Sequence, residues 1–390
     1  MNKKLLTLAV AAAMAAPTAS HAVKYKLSGQ INRAMVAQDD GVNSDIQFID
    51  NNSSGTRWRM KGSEDVGNGT KVGFNWEWQA QSNKAGGAIG ASDSDLGFSQ
   101  DLRKAEVWFS AGWGKVSFGQ GDGAGNGTTE TDLSDTWNVN YYGRTSFAGA
   151  VAWRCSTPGV GGCTAGGTLP AGSPTFALDP KTGLVTSSTA ALTHGDTFSE
   201  YDAFSRYDRI RYDTPSLGPV TLSVSAGQNN LYEGAARWSQ GLGGGQISAG
   251  LFYGQDVGGG TAKRYGGSVA YLFSFGLNLL AVYSENEANV PGGVSVTTSK
   301  TWYGKVGYKW GNNAVSLGYG ESKDANQDLV TATSSGWNDK GFNVGFNHNL
   351  PKAKVDLYAG YHFNQLDTPT TVASVDDIQA FVLGTKLKFD

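Results

Sequence analysis

The sequence predicts an all-β fold, a transmembrane antiparallel β-barrel of about sixteen strands. Three observations lead there. Apolar and polar residues alternate with a period of two along most of the chain. The alternating runs are about 9–12 residues long, which a tilted strand needs to cross a bilayer, whereas globular strands average about 5–6. The connections between runs are short and long in turn, as in barrels with tight turns at one rim and loops at the other.

The chain begins with a leader. Lys3 and Lys4 precede an apolar run from Leu5 to Ala16, then Pro17 and small residues to Ser20-His21-Ala22. That order describes a secretory signal peptide over residues 1–22, cleaved after Ala22 to leave Val23 at the mature N-terminus. The run is too short to span a bilayer as a helix, which takes about 20 apolar residues.

Strands are expected near 24–36, 54–63, 70–82, 102–112, 115–121, 206–214, 219–228, 232–240, 246–256, 262–273, 277–287, 300–310, 313–322, 337–348, 353–364 and 377–389. Thr70–Ser82 carries the pattern clearly: Val72, Phe74, Trp76, Trp78 and Ala80 alternate with Gly73, Asn75, Glu77, Gln79 and Gln81. In 300–310, Trp302, Val306, Tyr308 and Trp310 share one face, and Tyr303, Lys305 and Lys309 the other. In 353–364, Val355, Leu357, Ala359, Tyr361 and Phe363 oppose Asp356, Tyr358 and His362. Such alternation makes strands with one apolar and one polar face.

Short turns fall at Glu64–Gly69, Gly112–Gly114, Pro215–Pro219, Gly241–Gly245, Phe273–Gly276, Gly311–Asn313 and Asn349–Pro351. Longer polar segments lie between, at Ala37–Ser53, Asn83–Asp101, Glu287–Ser299, Lys323–Gly336 and Gln365–Val375. A soluble β-sandwich shares the composition but would not keep this rhythm. Trp58, Trp76, Trp108, Trp113, Trp238, Trp302, Trp310 and Trp337 lie near strand ends, where interfacial rings belong, although a soluble β protein would place such residues in its core.

Charge narrows the partners. Lys+Arg 31 against Asp+Glu 34 gives net −3, and −5 once Lys3 and Lys4 leave with the leader. A weakly acidic chain without a basic run argues against nucleic acid. Cys155 and Cys163 sit close together in a Gly-rich segment, so an exported chain would join them in a disulfide; a metal site is the alternative, with no His or second Cys pair at ligand spacing. No cofactor motif stands out: Gly119-Gln120-Gly121-Asp122-Gly123-Ala124-Gly125 lacks the Lys-Ser/Thr ending and following helix of a phosphate loop. After the leader, His194, His348 and His362 are scattered and form no catalytic or zinc spacing, so no enzyme and no metal centre is expected.

On these residues the chain resembles the general, trimeric porins of the proteobacterial (Gram-negative) outer membrane, over the whole mature sequence. Ser54-Gly55-Thr56-Arg57-Trp58-Arg59-Met60-Lys61-Gly62-Ser63-Glu64-Asp65-Val66-Gly67-Asn68-Gly69 is similar to that family's second strand and first periplasmic turn. Arg206-Tyr207-Asp208-Arg209-Ile210-Arg211-Tyr212-Asp213-Thr214-Pro215 looks like the strand leaving its long third loop. Ala380 to Phe389 looks like its closing strand, whose terminal phenylalanine the barrel-assembly machinery reads; here Asp390 follows Phe389. The resemblance implies a homotrimer amid outer-membrane lipid and lipopolysaccharide, with a third loop folded into each lumen. It also implies a water-filled channel for passive diffusion of ions and small hydrophilic solutes, or alternatively a solute-specific channel filtered by that loop. A barrel enzyme or a secreted adhesive β protein are the competing classes.

The segment from Gly121 to Ser205 far exceeds the usual loop limit of about 12–15 residues. The resemblance makes it the constriction loop plus an insertion, its first part carrying Glu130, Asp132 and Asp135. For Pro158–Thr193 a disordered excursion is the other reading. On the wall, Arg57, Arg59 and Lys61 alternate with Trp58 and Met60 and so share a face. A lipid-facing Arg or Lys costs about 2–4 kcal/mol at the bilayer midplane, so that face is the lumen. Arg209 and Arg211 face inward by the same reasoning, with Ile210 and Tyr212 outward. Charged side chains at a narrow passage set ion selectivity.

Overall fold

The computed structural model describes residues 23–83, 89, 99–156, 175–178, 185–188, 191–258, 262–290, 294–295, 297–325, 336–370 and 374–390. The strands are β1 (Lys24–Asp39), β2 (Ser44–Asp50), β3 (Arg57–Gly67), β4 (Thr70–Gln81), β5 (Ser99–Ala111), β6 (Gly114–Asp122), β7 (Thr175–Leu178) and β8 (Val185–Ser188). Then come β9 (Arg206–Asp213), β10 (Val220–Gly227), β11 (Leu231–Leu242), β12 (Gly245–Asp256), β13 (Ala262–Leu272) and β14 (Leu277–Val290). The chain ends through β15 (Val294–Ser295), β16 (Ser299–Trp310), β17 (Asn313–Lys323), β18 (Asn338–Leu350), β19 (Val355–Asp367) and β20 (Ile378–Phe389).

All but β7 and β8 join one 18-stranded sheet. Consecutive strands pair antiparallel, and β1 pairs with β20 over Gly29–Asp39, which closes the barrel and removes its edges. Setting aside β2 and the two-residue β15, sixteen strands make the wall among the described residues. The expected faces are seen. On β16, Trp302, Val306 and Tyr308 are exposed on the outer surface while Thr301, Tyr303 and Lys305 are buried. On β17, Val315, Leu317 and Tyr319 are exposed and Ser316 and Ser322 buried. The expected girdle holds at Trp76, Trp113, Trp302 and Trp310, but Trp337 is only 8% exposed and packs in an internal apolar cluster with Leu366. It belongs to the alternative group of core aromatics.

The expected loop at Ala37–Ser53 is corrected. β1 continues to Asp39, a tight turn at residues 40–43 follows, and β2 returns along β1 from Ser44 to Asp50. β3 then pairs with the lower half of β1, Gln30 opposite Arg57. The second wall strand is therefore one strand broken in the middle, with residues 51–56 displaced. Asn51 and Ser53 use that displacement to reach another segment: Asn51 Nδ2 donates to the Asn138 carbonyl at 2.6 Å and Ser53 Oγ to the same carbonyl at 2.9 Å.

The connection from β6 to β9 is the long one. Its ends are pinned together: Gly123 N donates to the Ser205 carbonyl at 2.9 Å, while Gly125 N and Phe204 N both donate to the Glu233 carboxylate, at 3.0 and 2.8 Å. Between them the described residues run across the polar faces of β12 to β20. Ser268 Oγ donates to the Thr128 carbonyl at 2.6 Å, Asn140 Nδ2 donates to Ser316 Oγ at 2.8 Å, and Arg144 reaches the Gly320 carbonyl at 3.2 Å. Apolar contacts add to these. Val139, Phe147, Val151, Trp153 and Leu192 pack with Val36, Ile49, Ile378 and Val382 in one cluster, and Tyr141 and Tyr142 with Leu280 and Val282 in another. Two wall glycines permit the close approach: a Cβ at Gly250 would lie 2.7 Å from the Thr128 carbonyl oxygen, and one at Gly345 2.7 Å from Asn140 Cβ. Within Pro158–Thr193, where a disordered excursion is the other reading, β7 and β8 pair as a hairpin. Cys155 is disulfide-bonded; Cys163, its expected partner, and the leader 1–22 lie outside the described residues.

Candidate functional site

A cavity of about 610 Å³ opens between wall and loop, lined by four arginines of the wall strands and four carboxylates of the loop. Arg57 of β3, Arg103 of β5, Arg206 of β9 and Arg264 of β13 supply the cations. Glu130, Asp132, Glu200 and Asp202 of the long connection supply the carboxylates.

The wall cations are organised around Glu77, a polar-face residue of β4. Arg103 Nε donates to its Oε1 at 2.7 Å, Arg57 Nη1 lies 3.5 Å from Oε1, and Arg59 Nε lies 3.4 Å from Oε2. One carboxylate among three guanidinium groups leaves the patch positive and holds the forks in fixed orientations. Arg103 is present through a β-bulge. In the β4–β5 ladder Glu77 pairs with Lys104 and Trp78 with Leu102, so Arg103 is an extra residue with no partner across the ladder. The bulge turns both Arg103 and Lys104 inward, while Leu102 and Val107 stay exposed outside.

In the same cavity three loop carboxyls crowd together. Gly127 N and Thr129 Oγ1 donate to Asp202, at 2.6 and 2.9 Å, and Tyr141 Oη donates to Glu200 Oε1 at 3.1 Å. Burial within the barrel raises the Glu200 carboxyl up to about 7; Tyr141 opposes that shift and Asp202 adds to it. Burial, then the negative charges of Asp202 and Glu200, drive Glu130 well above the usual carboxylate range, and burial also raises Asp202. Protein surrounds Glu130 and Glu200 on all sides, yet both are exposed to the open cavity, so pore water relieves part of the desolvation while the mutual repulsion remains. The arginines keep their charge throughout.

The expected site residues divide. Arg57, Glu130 and Asp132 line the cavity, and Arg59 supports it through Glu77. Asp132 is also neutralised, because the fully buried Lys305 donates to it at 2.7 Å. Asp135 pairs with Lys309 and borders a different chamber. Lys61 of β3 does not line the charged cavity. Arg209 and Arg211 point inward as expected, with Ile210 exposed on the other face, but they brace the base of the loop. Arg209 pairs with Glu106 and donates to the Asp122 carbonyl at 2.9 Å; Arg211 pairs with Asp213 at 2.7 Å and donates to the Gly123 carbonyl at 2.7 Å. Phe389 ends β20 and covers Gly29, while Asp390 lies between Lys26 and Lys354.

Five charged cavity residues escaped the sequence reading: Arg103, Arg206, Arg264, Glu200 and Asp202. Arg103 falls on the lipid face if alternation is strict; the adjacent cations Arg103-Lys104, flanked by Leu102 and Ala105, signalled a bulge because one of them would otherwise face lipid. Arg264 sits on the polar face of a correctly expected strand and was legible there. Glu200 and Asp202 lie beyond the insertion, and nothing local brings them into one cavity with Arg57.

A profile of Gram-negative porins matches residues 7–369, and the chain belongs to that family. It is a channel of the outer membrane through which solutes diffuse passively. Its fold is similar to that of an anion-selective porin from Comamonas acidovorans (16% identity, 94% of this chain and 100% of that one covered, TM-score 0.59). It is also similar to the trimer form of OmpT from Vibrio cholerae (12%, 95% and 100%, TM-score 0.55) and to the outer-membrane channel DcaP of Acinetobacter baumannii (15%, 96% and 100%, TM-score 0.53). No curated protein matches the chain significantly.

Proposed function

We propose that the segment 121–205 is the constriction loop of this porin, folded into the lumen, and that the charged cavity is a filter with a preference for small anions. The observation that carries this reading is the asymmetry between the two sets of charged groups. The cations are arginines, which keep their charge, whereas the carboxyls are crowded, with Glu200 raised to about 7, Glu130 and Asp202 shifted in the same direction, and Asp132 already paired. The relative described as anion-selective is consistent with it. A salt-gradient measurement across planar bilayers tests the filter; a reversal potential favouring potassium over chloride at neutral pH would refute it.

The functional unit is a homotrimer, as in the trimer form of the Vibrio relative. Support comes from the outer surface. Arg33 lies on the outward face of β1, flanked by Ile31 and Met35 and opposite Thr385 of β20, where Leu383 and Leu387 are exposed. Its side chain is 38% exposed and pairs at 2.6 Å with Asp50, which is 2% exposed. A cation in an apolar band is costly against acyl chains and acceptable against protein. Conductance steps in threes, and dissociation of R33L-containing barrels into monomers in detergent, are expected.

No chemistry on the solute is required. The described histidines are engaged elsewhere: His194 lies 3.4 Å from Asp339, His348 bonds Asn313 at 2.8 Å, and His362 packs on Phe147. Lipid, lipopolysaccharide and the assembly machinery are the partners the outer surface and the strand ending at Phe389 would meet.

A further inference from the structure

We infer that the chamber on the short-turn side of the charged cavity is a binding subsite for neutral polyhydroxylated solutes, a carbohydrate-type site in series with the filter; this rests on the reading of the barrel as an open channel. The chamber, about 300 Å³, is bounded by loop residues 135–138, the turn between β16 and β17, and the polar faces of β18 to β20. That volume lies at the lower end for small-molecule pockets. Trp137 borders both this chamber and the charged cavity, so a solute leaving the filter meets its ring next.

Both carboxylates of the chamber are paired. Asp135 pairs with Lys309, and Asp356 lies 3.1 Å from Lys386 Nζ, accepts from Asn349 Nδ2 at 2.6 Å and from Asn138 Nδ2 at 3.3 Å. Neither carboxylate is left to attract an ammonium group, and an anion drawn to Lys388 would bring no proton for the unpaired Asn347 acceptor, so a neutral donor is favoured. What remains is amide-rich. Asn347 is 4% exposed, lines the chamber, and its Oδ1 has no hydrogen-bond partner. A buried acceptor without a donor is unfavourable until something supplies one. Lys388 lies 3.9 Å from Asp356 with a side chain 55% exposed, leaving ammonium protons to give. A hydroxyl is the neutral group able to donate to Asn347 and accept from Lys388. The aromatic wall is preset for the apolar C–H face of such a solute: Trp137 Nε1 donates to the Ser53 carbonyl at 2.8 Å, and its ring packs 4.9 Å from Tyr141.

The test is sucrose titration of ion current through the intact protein in planar bilayers, added from the short-turn side. Polyethylene glycol of similar size and glycine serve as comparison solutes. A saturating block by sucrose is expected, with a half-blocking concentration raised at least fivefold by Asn347→Leu and about threefold by Lys388→Met, each read as a fraction of that variant's own unblocked current. The inference is overturned by a linear decline no different from that with polyethylene glycol, by equal half-blocking concentrations in wild type and both variants, or by tighter block with glycine. Absence of any wild-type current would instead sink the channel reading, and the subsite with it.

Discussion

Replacing Lys305 by methionine is expected to free the long connection between β6 and β9 while leaving the barrel closed. Lys305 is fully buried and gives its three protons to Asp132 Oδ2 at 2.7 Å, the Asn140 carbonyl at 2.7 Å and Thr136 Oγ1 at 3.3 Å. These three acceptors span the loop segment above β16. Without the ammonium group, Asp132 keeps only Ser134 N at 2.9 Å and Ser134 Oγ at 3.0 Å, while its own side chain is 2% exposed. Removing one partner of a buried ion pair costs about 3–5 kcal/mol, because the other is left charged in a poor solvent. The barrel need not unfold to relieve this, since the loop can lift and hydrate Asp132. The cost should therefore appear as local opening. At tenfold per 1.4 kcal/mol, about 3 kcal/mol is more than a hundredfold faster amide exchange. Hydrogen exchange at residues 132–142 is the assay, with the β16 and β17 amides as the internal control. A double variant, K305M with D132L, removes both charges and should recover at least about 2 kcal/mol of the loss, the signature of direct coupling. Exchange within threefold of wild type in K305M, or single-variant effects that simply add, would refute the reasoning.

Three further outcomes follow from the same geometry. Serine at Arg57 and Arg103 together should shift the reversal potential toward cations, whereas serine at Arg209, which is paired with Glu106 away from the cavity, should lower thermal stability and leave selectivity within error. Anion preference should rise as pH falls from 8 to 5, because Glu200, raised to about 7, becomes neutral while the arginines do not; E200Q should remove the transition near neutrality, and an unchanged reversal potential across that range would contradict it. Alanine at Gly250 would place its Cβ 2.7 Å from the Thr128 carbonyl oxygen, an overpacking cost of about 1–3 kcal/mol read as faster exchange at Thr128 and Thr129, whereas Gly234→Ala, with open space around it, should be silent.

The barrel was legible in the sequence because its cause is local. Each strand must show one face to acyl chains and one to water, so alternation over a bilayer's length recurs sixteen times and the face of Arg57 and Arg59 follows from lipid alone. The same logic assigned Arg209 and Arg211 inward but could not say whether they meet solute or loop backbone, since both destinations are polar. Where a local irregularity overrides the period, the reading failed. The bulge that admits Arg103 and the broken strand at residues 51–56 each depart from alternation, and each touches the site. What tertiary structure decided is the site itself. Glu130 and Glu200 are seventy residues apart and meet Arg57 and Arg264 from two further strands only when the loop crosses the barrel. Convergence on one cavity depends on the path of the chain through space, and no periodicity along the chain encodes it.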